Sequence, residues 1–288
     1  MPLQEPAAPL ENAPDRAIGA RPHLLARPTI EIFPVEGIAA RVARTRPASI
    51  AITCSPRRGI GATLDLAERL IDAGIDVTPH LSARLVVDRA HAQRIGARLA
   101  RLGIGHIFVI GGDVKQPAGP FPSAASLLNF FAEGGFTFDQ VGVASYPEGH
   151  PTVDDATLWH ELRLKQRWAT YAVTQLCFEA GAIAAWIRNA RAHDVTLPVH
   201  VGIAGVVERA RLIRLALRIG VGDSSRFVSK NRNLMAGLLG RRAYSPGPLI
   251  AELSRRTGAD DIAGYHFYTF NQVEATEEWR RRALEAAP

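Results

Sequence analysis

The run Gln140-Val-Gly-Val-Ala-Ser-Tyr-Pro-Glu-Gly-His-Pro151 combines a short apolar segment, typical of a buried strand, with a turn. The turn is stiff at its prolines and free at the glycine between them. It presents Tyr146, Glu148 and His150 together at the carboxyl end of the strand. Ligands of α/β proteins bind at such ends, although an ordinary polar turn covered by a tyrosine is the alternative interpretation.

Strand-like runs of this kind recur along the chain and alternate with helical patterns. We predict strands at 29–33, 48–53, 76–82, 106–111, 140–146, 171–178, 198–203 and 264–270. Helices are predicted at 37–45, 63–73, 86–102, 123–133, 155–169, 180–192, 206–218, 225–239, 246–257 and 276–286. Several of these helices end at a glycine just before the next strand, at Gly74, Gly103 and Gly220.

Eight strand–helix units in about 260 residues predict an α/β fold, a (β/α)₈ TIM barrel with extra helices before the eighth strand. An open, doubly wound sheet is the alternative. No GxGxxG motif opens the first strand–helix turn, which counts against a classical dinucleotide-binding fold. Residues 1–28, rich in proline and alanine, are predicted to be a flexible N-terminal arm, and residues 29–288 the barrel.

Composition narrows the class of protein. With 47% hydrophobic residues in a chain of 288, a large core can be buried. The two cysteines, Cys54 and Cys177, have neither metal-site nor disulfide spacing, which fits a reducing cytoplasm. No apolar run reaches the roughly 18 residues of a membrane helix.

The net charge of +6 raises the question of nucleic acid. The arginines are spread over helical segments without interleaved aromatic residues. This pattern favours a solvated helical surface, or attraction of an anionic small molecule, over nucleic-acid binding.

In a barrel, chemistry belongs at the carboxyl ends of the strands. Glu31 interrupts an apolar first strand, where a buried carboxylate needs either a function or a salt-bridge partner. Gly111 and Gly112 precede Asp113 and let a flat ligand approach the backbone. The other polar residues predicted at these ends are Thr53, His80, Gln175 and Tyr268.

Chemically, this set of residues contains no metal cluster, no nucleophile–base pair and no Schiff-base lysine on the sixth strand. Acidic and amide groups around a glycine-flanked surface suit proton transfer and the binding of a planar heterocycle that forms hydrogen bonds.

Several of these residues lie in motifs whose order and spacing resemble those of the methylenetetrahydrofolate reductase family, from about residue 29 to residue 280. The last motif and the one around Tyr146 are rather specific. The motifs are Ile30-Glu-Ile-Phe-Pro34, Pro79-His-Leu81, Gly111-Gly-Asp113, Tyr146-Pro-Glu-Gly-His-Pro151, Val173-Thr-Gln175 followed by Cys177-Phe178, and His266-Phe-Tyr-Thr-Phe-Asn271.

The resemblance implies a single catalytic barrel that carries FAD and reduces 5,10-methylenetetrahydrofolate to 5-methyltetrahydrofolate with NADH or NADPH. It implies that Glu31 donates a proton to the folate and that Asp113 lies near both flavin and pterin. Gln175 and Tyr268 match positions that contact folate or nicotinamide. The flavin-contacting positions implied are Thr53, His80, Gly111, Gly112, Asp113, Ala124, Tyr146 and His150, with Lys165 at a phosphate. A cytoplasmic homo-oligomer without a C-terminal regulatory domain is expected.

The chain departs from the family pattern at three places. Gly111 stands where an arginine is common, the lead into the sixth strand is shortened after Lys165, and Gln272 replaces an arginine that often meets the folate tail. Direct hydride transfer from NAD(P)H to folate without flavin is therefore one alternative. A non-catalytic folate- or flavin-binding barrel is the other, but such a module has no need of the buried Glu31.

Overall fold

The computed structural model describes residues 21–208, 211–212 and 243–286. Eight parallel strands close into a barrel: β1 (Thr29–Ile32), β2 (Ser49–Ile52), β3 (Val77–Ser82), β4 (His106–Ile110), β5 (Gln140–Ser145), β6 (Tyr171–Thr174), β7 (Val199–Ala204) and β10 (Gly264–Tyr268). The predicted TIM barrel is confirmed. The open-sheet alternative is wrong, because β1 pairs in parallel with both β2 and β10 and so closes the ring.

Helices surround this ring. They are α1 (Pro22–Ala26), α2 (Ile38–Thr45), α3 (Gly59–Asp72), α4 (Arg89–Arg101), α5 (Ala124–Glu133), α6 (Asp155–Lys165), α7 (Ala180–Ala192), α8 (Gly247–Arg256) and α9 (Val273–Glu285). Asp88 and Asp154 cap the starts of α4 and α6 by accepting backbone N–H groups. Gly74 and Gly103 follow α3 and α4 with positive φ, as predicted, whereas Gly220 lies outside the described residues.

The prediction of a helix over 206–218 is wrong at its start, whereas residues 211–212 are helical and residues 209–210 and 213–218 lie outside the described residues. Val207–Glu208 form a short strand, β8, which pairs antiparallel with β9 (Ala243–Tyr244). Val207 is fully buried and β-branched, and burial in a two-stranded pairing overrides its helical spacing. The helix predicted at 246–257 is confirmed as α8, while that at 225–239 lies outside the described residues.

The end of the predicted N-terminal arm is docked on the barrel. Leu25 of α1 is fully buried, and the Arg280 guanidinium donates to the carbonyl oxygens of Leu25 and Ala26. Arg21 donates to the hydroxyl and carbonyl oxygens of Thr257. Residues 21–28 thus differ from a flexible arm, and residues 1–20 lie outside the described residues.

The strands alternate between side chains that pack against the helices and side chains that face the interior of the barrel. Aliphatic side chains such as Ile30, Ile50 and Leu81 are fully buried in the large core cluster that the strands share with the helices.

The described helices include none with the length and hydropathy needed to cross a bilayer. Cys54 and Cys177 are both buried free thiols.

The interior of the barrel is filled by rings. Phe108 contacts His80, Tyr171 and His266, and Tyr171 in turn packs on His200 at a centroid distance of 4.7 Å. Glycines on neighbouring strands make room for these rings. A Cβ atom on Gly142 would overlap Phe108 and Tyr171, and one on Gly202 would overlap the Tyr268 ring and a Thr174 carbonyl oxygen.

We expect Gly202→Ala to destabilise the barrel by about 1–3 kcal/mol, because the added methyl group meets backbone that cannot move aside. Gly61→Ala is the matched control, since its methyl group would enter open space on the exposed side of α3 and should stabilise by up to about 1 kcal/mol. Denaturant unfolding measures the change in the free energy of unfolding for both variants. Equal effects of the two variants would contradict this packing.

His200 should make stability depend on pH. Burial lowers its pKa from 6.5 to about 4, so between these values the unfolded chain binds a proton that the folded chain does not. Stability is therefore lost as the pH falls through this range. As the pH falls through this range, the free energy of unfolding of His200→Gln should decrease by about 1.4 kcal/mol less per pH unit than that of the natural chain. Urea unfolding at a series of pH values measures the difference, and parallel curves would refute the assignment.

Candidate active site

Glu31 lies inside the barrel and is held by two strands. Its side chain is buried, and its Oε2 atom is 3.0 Å from His266 Nε2, within hydrogen-bond distance. His80 Nε2 lies 3.8 Å from the same oxygen, beyond that distance. The Thr269 hydroxyl donates to the Glu31 carbonyl oxygen at 2.6 Å, which also fixes the main chain.

The register of the strands explains why these residues meet. β1 and β10 are neighbours with Thr29 opposite His266, so residues two apart along both strands face the interior. His80 reaches the same space from β3 and lies 6.4 Å from the His266 ring centroid. The polar side chains nearest the Glu31 carboxyl group among the described contacts are thus two imidazole rings.

The protonation of His80 is set by burial. Desolvation lowers the pKa of His80 to about 4, although the Glu31 charge opposes the shift. The His80 imidazole is therefore neutral near pH 7. Burial, followed by the charge of Glu31, raises the pKa of the Tyr268 hydroxyl well above its ordinary value, and this hydroxyl donates to the Thr174 carbonyl oxygen at 3.0 Å.

Within the described residues, Glu31, His80 and His266 each offer one possible metal-ligand atom, and these atoms lie within 4.8 Å of one another. The three residues come from different strands far apart along the chain, so the sequence could not show that they converge. The expectation of a site without metal stays a prediction. Two imidazoles and one carboxylate also form a common ligand set for zinc.

A second polar group lies at the strand ends around Asp113. The Tyr146 and His150 rings meet edge to face with centroids 4.9 Å apart. Burial and then the charge of Asp113 raise the pKa of Tyr146, while burial lowers the pKa of His150 against the opposing effect of Asp113. Tyr146 and His150 thus lie side by side, and the charge of Asp113 acts on both.

The loop after β4 presents backbone to this group. β4 ends at Ile110, so Asp113 belongs to the loop and not to the strand end where we placed it. A side chain on Gly111 would enter open space, whereas Gly112 has a φ of +99° and a Cβ atom there would overlap the Ser82 hydroxyl. Glycine is therefore required at residue 112 for the loop backbone to pass so close to Ser82.

Arg84, which sequence reasoning did not select, anchors that loop. Its guanidinium donates to the carbonyl oxygens of Val114 at 3.1 Å and Pro122 at 2.8 Å. It also lowers the pKa of His150, so its charge is felt at the turn after β5. The only sequence signal was its position directly after the third strand.

His80 and Gln175 do not lie at the strand ends where we predicted them. His80 lies in the middle of β3, while Gln175 follows β6 because the paired strand ends at Thr174. The Gln175 side-chain oxygen accepts from the Leu176 backbone N–H at 2.9 Å, so it faces its own main chain. Ala124 is the buried first residue of α5.

Lys165 lies apart from this group, at the end of α6. It lines a cleft of about 390 Å³ between α6 and α7, shared with Tyr146 and Glu148 of the turn but with neither Asp113 nor His80. Burial lowers the pKa of its ammonium group to about 8, and the charge of Glu161 opposes the shift.

Sequence reasoning missed His266 as a site residue. His266 stood inside a quoted motif, and its spacing of two residues from Tyr268 already predicts that both face the interior. That periodicity was the available signal, but it does not say which residue lies opposite on another strand.

Comparison with known proteins supports one family. Residues 36–283 match the family model described as methylenetetrahydrofolate reductase. Methylenetetrahydrofolate reductase 1 of Schizosaccharomyces pombe is 31% identical over 140 residues, which cover 48% of this chain and 23% of that protein. The match thus spans less than a quarter of that relative's length.

Among solved structures, a plant class V chitinase mutant from Cycas revoluta in complex with (GlcNAc)3 is 11% identical with a TM-score of 0.47, covering 90% of this chain and 99% of that one. A likeness at that level carries no argument. The family match, in contrast, extends over most of the barrel, from α2 to α9. The chain belongs to the methylenetetrahydrofolate reductase family.

Proposed function

We propose that this chain reduces 5,10-methylenetetrahydrofolate to 5-methyltetrahydrofolate with NAD(P)H through bound FAD. The observation that carries the proposal is Glu31, a carboxyl group buried inside the barrel and hydrogen-bonded to an imidazole. Family membership supports the reaction class. Glu31 itself precedes the matched range, so its role rests on its motif and on this geometry.

The described residues fit a flavin on two observations. The buried Thr53 Oγ1 and His80 Nε2 atoms have no hydrogen-bond partner within the described part of the chain, and a buried polar atom is costly unless a ligand or water satisfies it. Gly111 and Gly112 expose backbone in the neighbouring loop, which suits a flat ring. Tyr146, His150 and Ala124 would contribute to the same site, with Lys165 toward a phosphate.

When bound, FAD supplies the electron transfer between nicotinamide and folate. The chain's own residues supply the acid and the fixed charges. Glu31, in its protonated form, donates through a carboxyl oxygen to the folate nitrogen that leaves as the methylene bridge opens. Asp113 stabilises the cation that results, because its carboxylate lies in the group at the strand ends with Tyr146.

In this proposal the folate and the nicotinamide contact Tyr268, Gln175 and Asp113. The Tyr268 hydroxyl is held on the Thr174 carbonyl oxygen, and its ring centroid lies 5.1 Å from that of His266. The net charge of +6 favours the approach of these anionic molecules. A cytoplasmic homo-oligomer remains part of the proposal.

One observation favours a second candidate, hydride transfer from NAD(P)H to the folate without flavin. Gly111 stands where the family often has an arginine, and the space beside it is open. A cation that would stabilise a reduced flavin is therefore missing from that position.

The visible absorption spectrum of the purified protein distinguishes the flavin-dependent reaction from direct hydride transfer. We expect the purified protein to show the visible absorption of an oxidised flavin, which NAD(P)H bleaches without oxygen and methylenetetrahydrofolate restores. Colourless protein that still couples NAD(P)H oxidation to folate reduction, with no added flavin, would establish the second candidate instead.

Glu31→Gln should separate the two half-reactions. The variant cannot donate a proton, so folate reduction should fall by about 100-fold or more, whereas flavin binding and its reduction by NAD(P)H should persist. Glu36→Gln, at an exposed glutamate in the loop after β1, is the matched control and should keep both. Stopped-flow absorbance measures each half-reaction. Normal folate reduction by Glu31→Gln would remove this residue from the mechanism.

A further inference from the structure

The loop between β4 and α5 carries Asp113 and has few contacts that hold it in place. None of the side chains from Asp113 to Pro120 is buried. Outside the helices and strands, every described hydrogen bond of residues 112–122 has the same partner, Arg84. A loop with little buried surface opens easily unless hydrogen bonds restrain it. The position of this loop therefore depends mainly on one residue of another segment.

Arg84 contacts the loop at four points along its length. Its backbone N–H donates to the Gly111 carbonyl oxygen, and its carbonyl oxygen accepts from the Ala118 N–H, both at 2.9 Å. Its guanidinium donates to the carbonyl oxygens of Val114 at 3.1 Å and Pro122 at 2.8 Å through two different nitrogen atoms. The planar guanidinium holds these two donors in a fixed geometry. One residue thus spans the loop from its start to its end.

We propose, on the basis of the function proposed above, that Arg84 positions this loop so that Asp113 can act on flavin and folate. The Val114 carbonyl oxygen that the guanidinium binds belongs to the residue directly after Asp113, so this bond restrains the main chain next to the carboxylate. Among the described residues no carboxylate pairs with the guanidinium, and both of its hydrogen bonds go to the loop. Arg84 is therefore a positioning residue, which need not touch either molecule.

The loop also lies close to the segment that follows Arg84. A Cβ atom on Gly119 would overlap the backbone carbonyl oxygens of Val86 and Val87. The loop can therefore approach this segment only because residue 119 has no side chain. Gly119→Ala should push the loop away from the segment while it leaves the guanidinium unchanged. This variant is a second, independent way to move Asp113.

The chain offers a matched control at the other end of the barrel. The Arg191 guanidinium donates to the carbonyl oxygens of Val195 at 2.6 Å and Leu197 at 3.1 Å. It restrains the loop between α7 and β7 in the same way, but that loop precedes a strand and so lies at the face opposite to the site. Arg84→Met and Arg191→Met each lose two hydrogen bonds to carbonyl oxygens, and only the first should alter the site.

Backbone amide hydrogen exchange of the flavin-free protein tests whether Arg84 holds the loop. The Ala118 N–H can still donate to the main chain of residue 84 in every variant, so its exchange rate reports how often the loop opens. We expect it to exchange about tenfold faster in Arg84→Met and in Gly119→Ala, and within about twofold of the natural rate in Arg191→Met. Unchanged exchange in Arg84→Met, or equal acceleration in Arg191→Met, would overturn the proposal.

The flavin-loaded enzyme tests the consequence for function. We expect Arg84→Met to bind FAD about tenfold more weakly, and its folate half-reaction at saturating folate to slow by about 10- to 100-fold, because Asp113 is misplaced. Arg84→Lys keeps the charge on a single flexible nitrogen and should stay impaired by about fivefold or more. Arg191→Met should match the natural enzyme within about twofold.

Full recovery of both properties in Arg84→Lys would show that the site needs the charge and not the two fixed donors, and would overturn the proposal. Normal FAD binding and folate reduction in Arg84→Met would also overturn it. If the natural enzyme neither binds flavin nor reduces the folate, the proposed function fails, and hydrogen exchange still decides whether Arg84 holds the loop.

Discussion

Closure of the barrel between β1 and β10 is the constraint on which the site depends. Beyond the strand pairing, the Asn271 side chain accepts from the Phe33 N–H at 2.7 Å and donates to the Phe33 carbonyl oxygen at 3.2 Å. Thr269 adds a third bond, to Glu31 itself. These contacts hold the carboxyl group and His266 in one register. A shift of either strand by one residue would turn the side chain it carries out of the barrel.

The same closure makes a buried carboxyl group tolerable. An isolated ionised carboxylate in this interior would cost several kcal/mol. A hydrogen bond with an imidazole offsets part of that cost. The rings of Phe108 and Tyr171, accommodated by Gly142, fill part of the same interior. Packing and chemistry therefore depend on the same few interior positions.

Much of the fold could be predicted from the sequence, because each strand of a parallel barrel is a short apolar run that the next helix follows directly. The polar turn around Tyr146 was predicted for the same reason, since its residues are neighbours in the chain. Local patterns could not show that Glu31, His80 and His266 converge, because that contact depends on register between distant strands. Nor could they show that Val207 pairs with Tyr244.

Other errors had local causes. The apolar run through Gln175 continues past the last paired residue, since periodicity detects burial and not hydrogen bonding. The phosphate role of Lys165 stays a prediction, and its side chain lines a cleft between α6 and α7. Arg84 was overlooked because an arginine bonded only to carbonyl oxygens leaves no pattern in sequence.

The separation of Glu31 from His266 has a consequence for how the protein is made. The two partners are 235 positions apart. A chain emerging from the ribosome exposes β1 first and must wait for almost the whole barrel before β10 is available. Until then Glu31 lacks its partner and the first strand has an open edge. The acid that we assign to the chemistry is thus among the last features to be assembled, and its pairing marks the point at which the ring has closed.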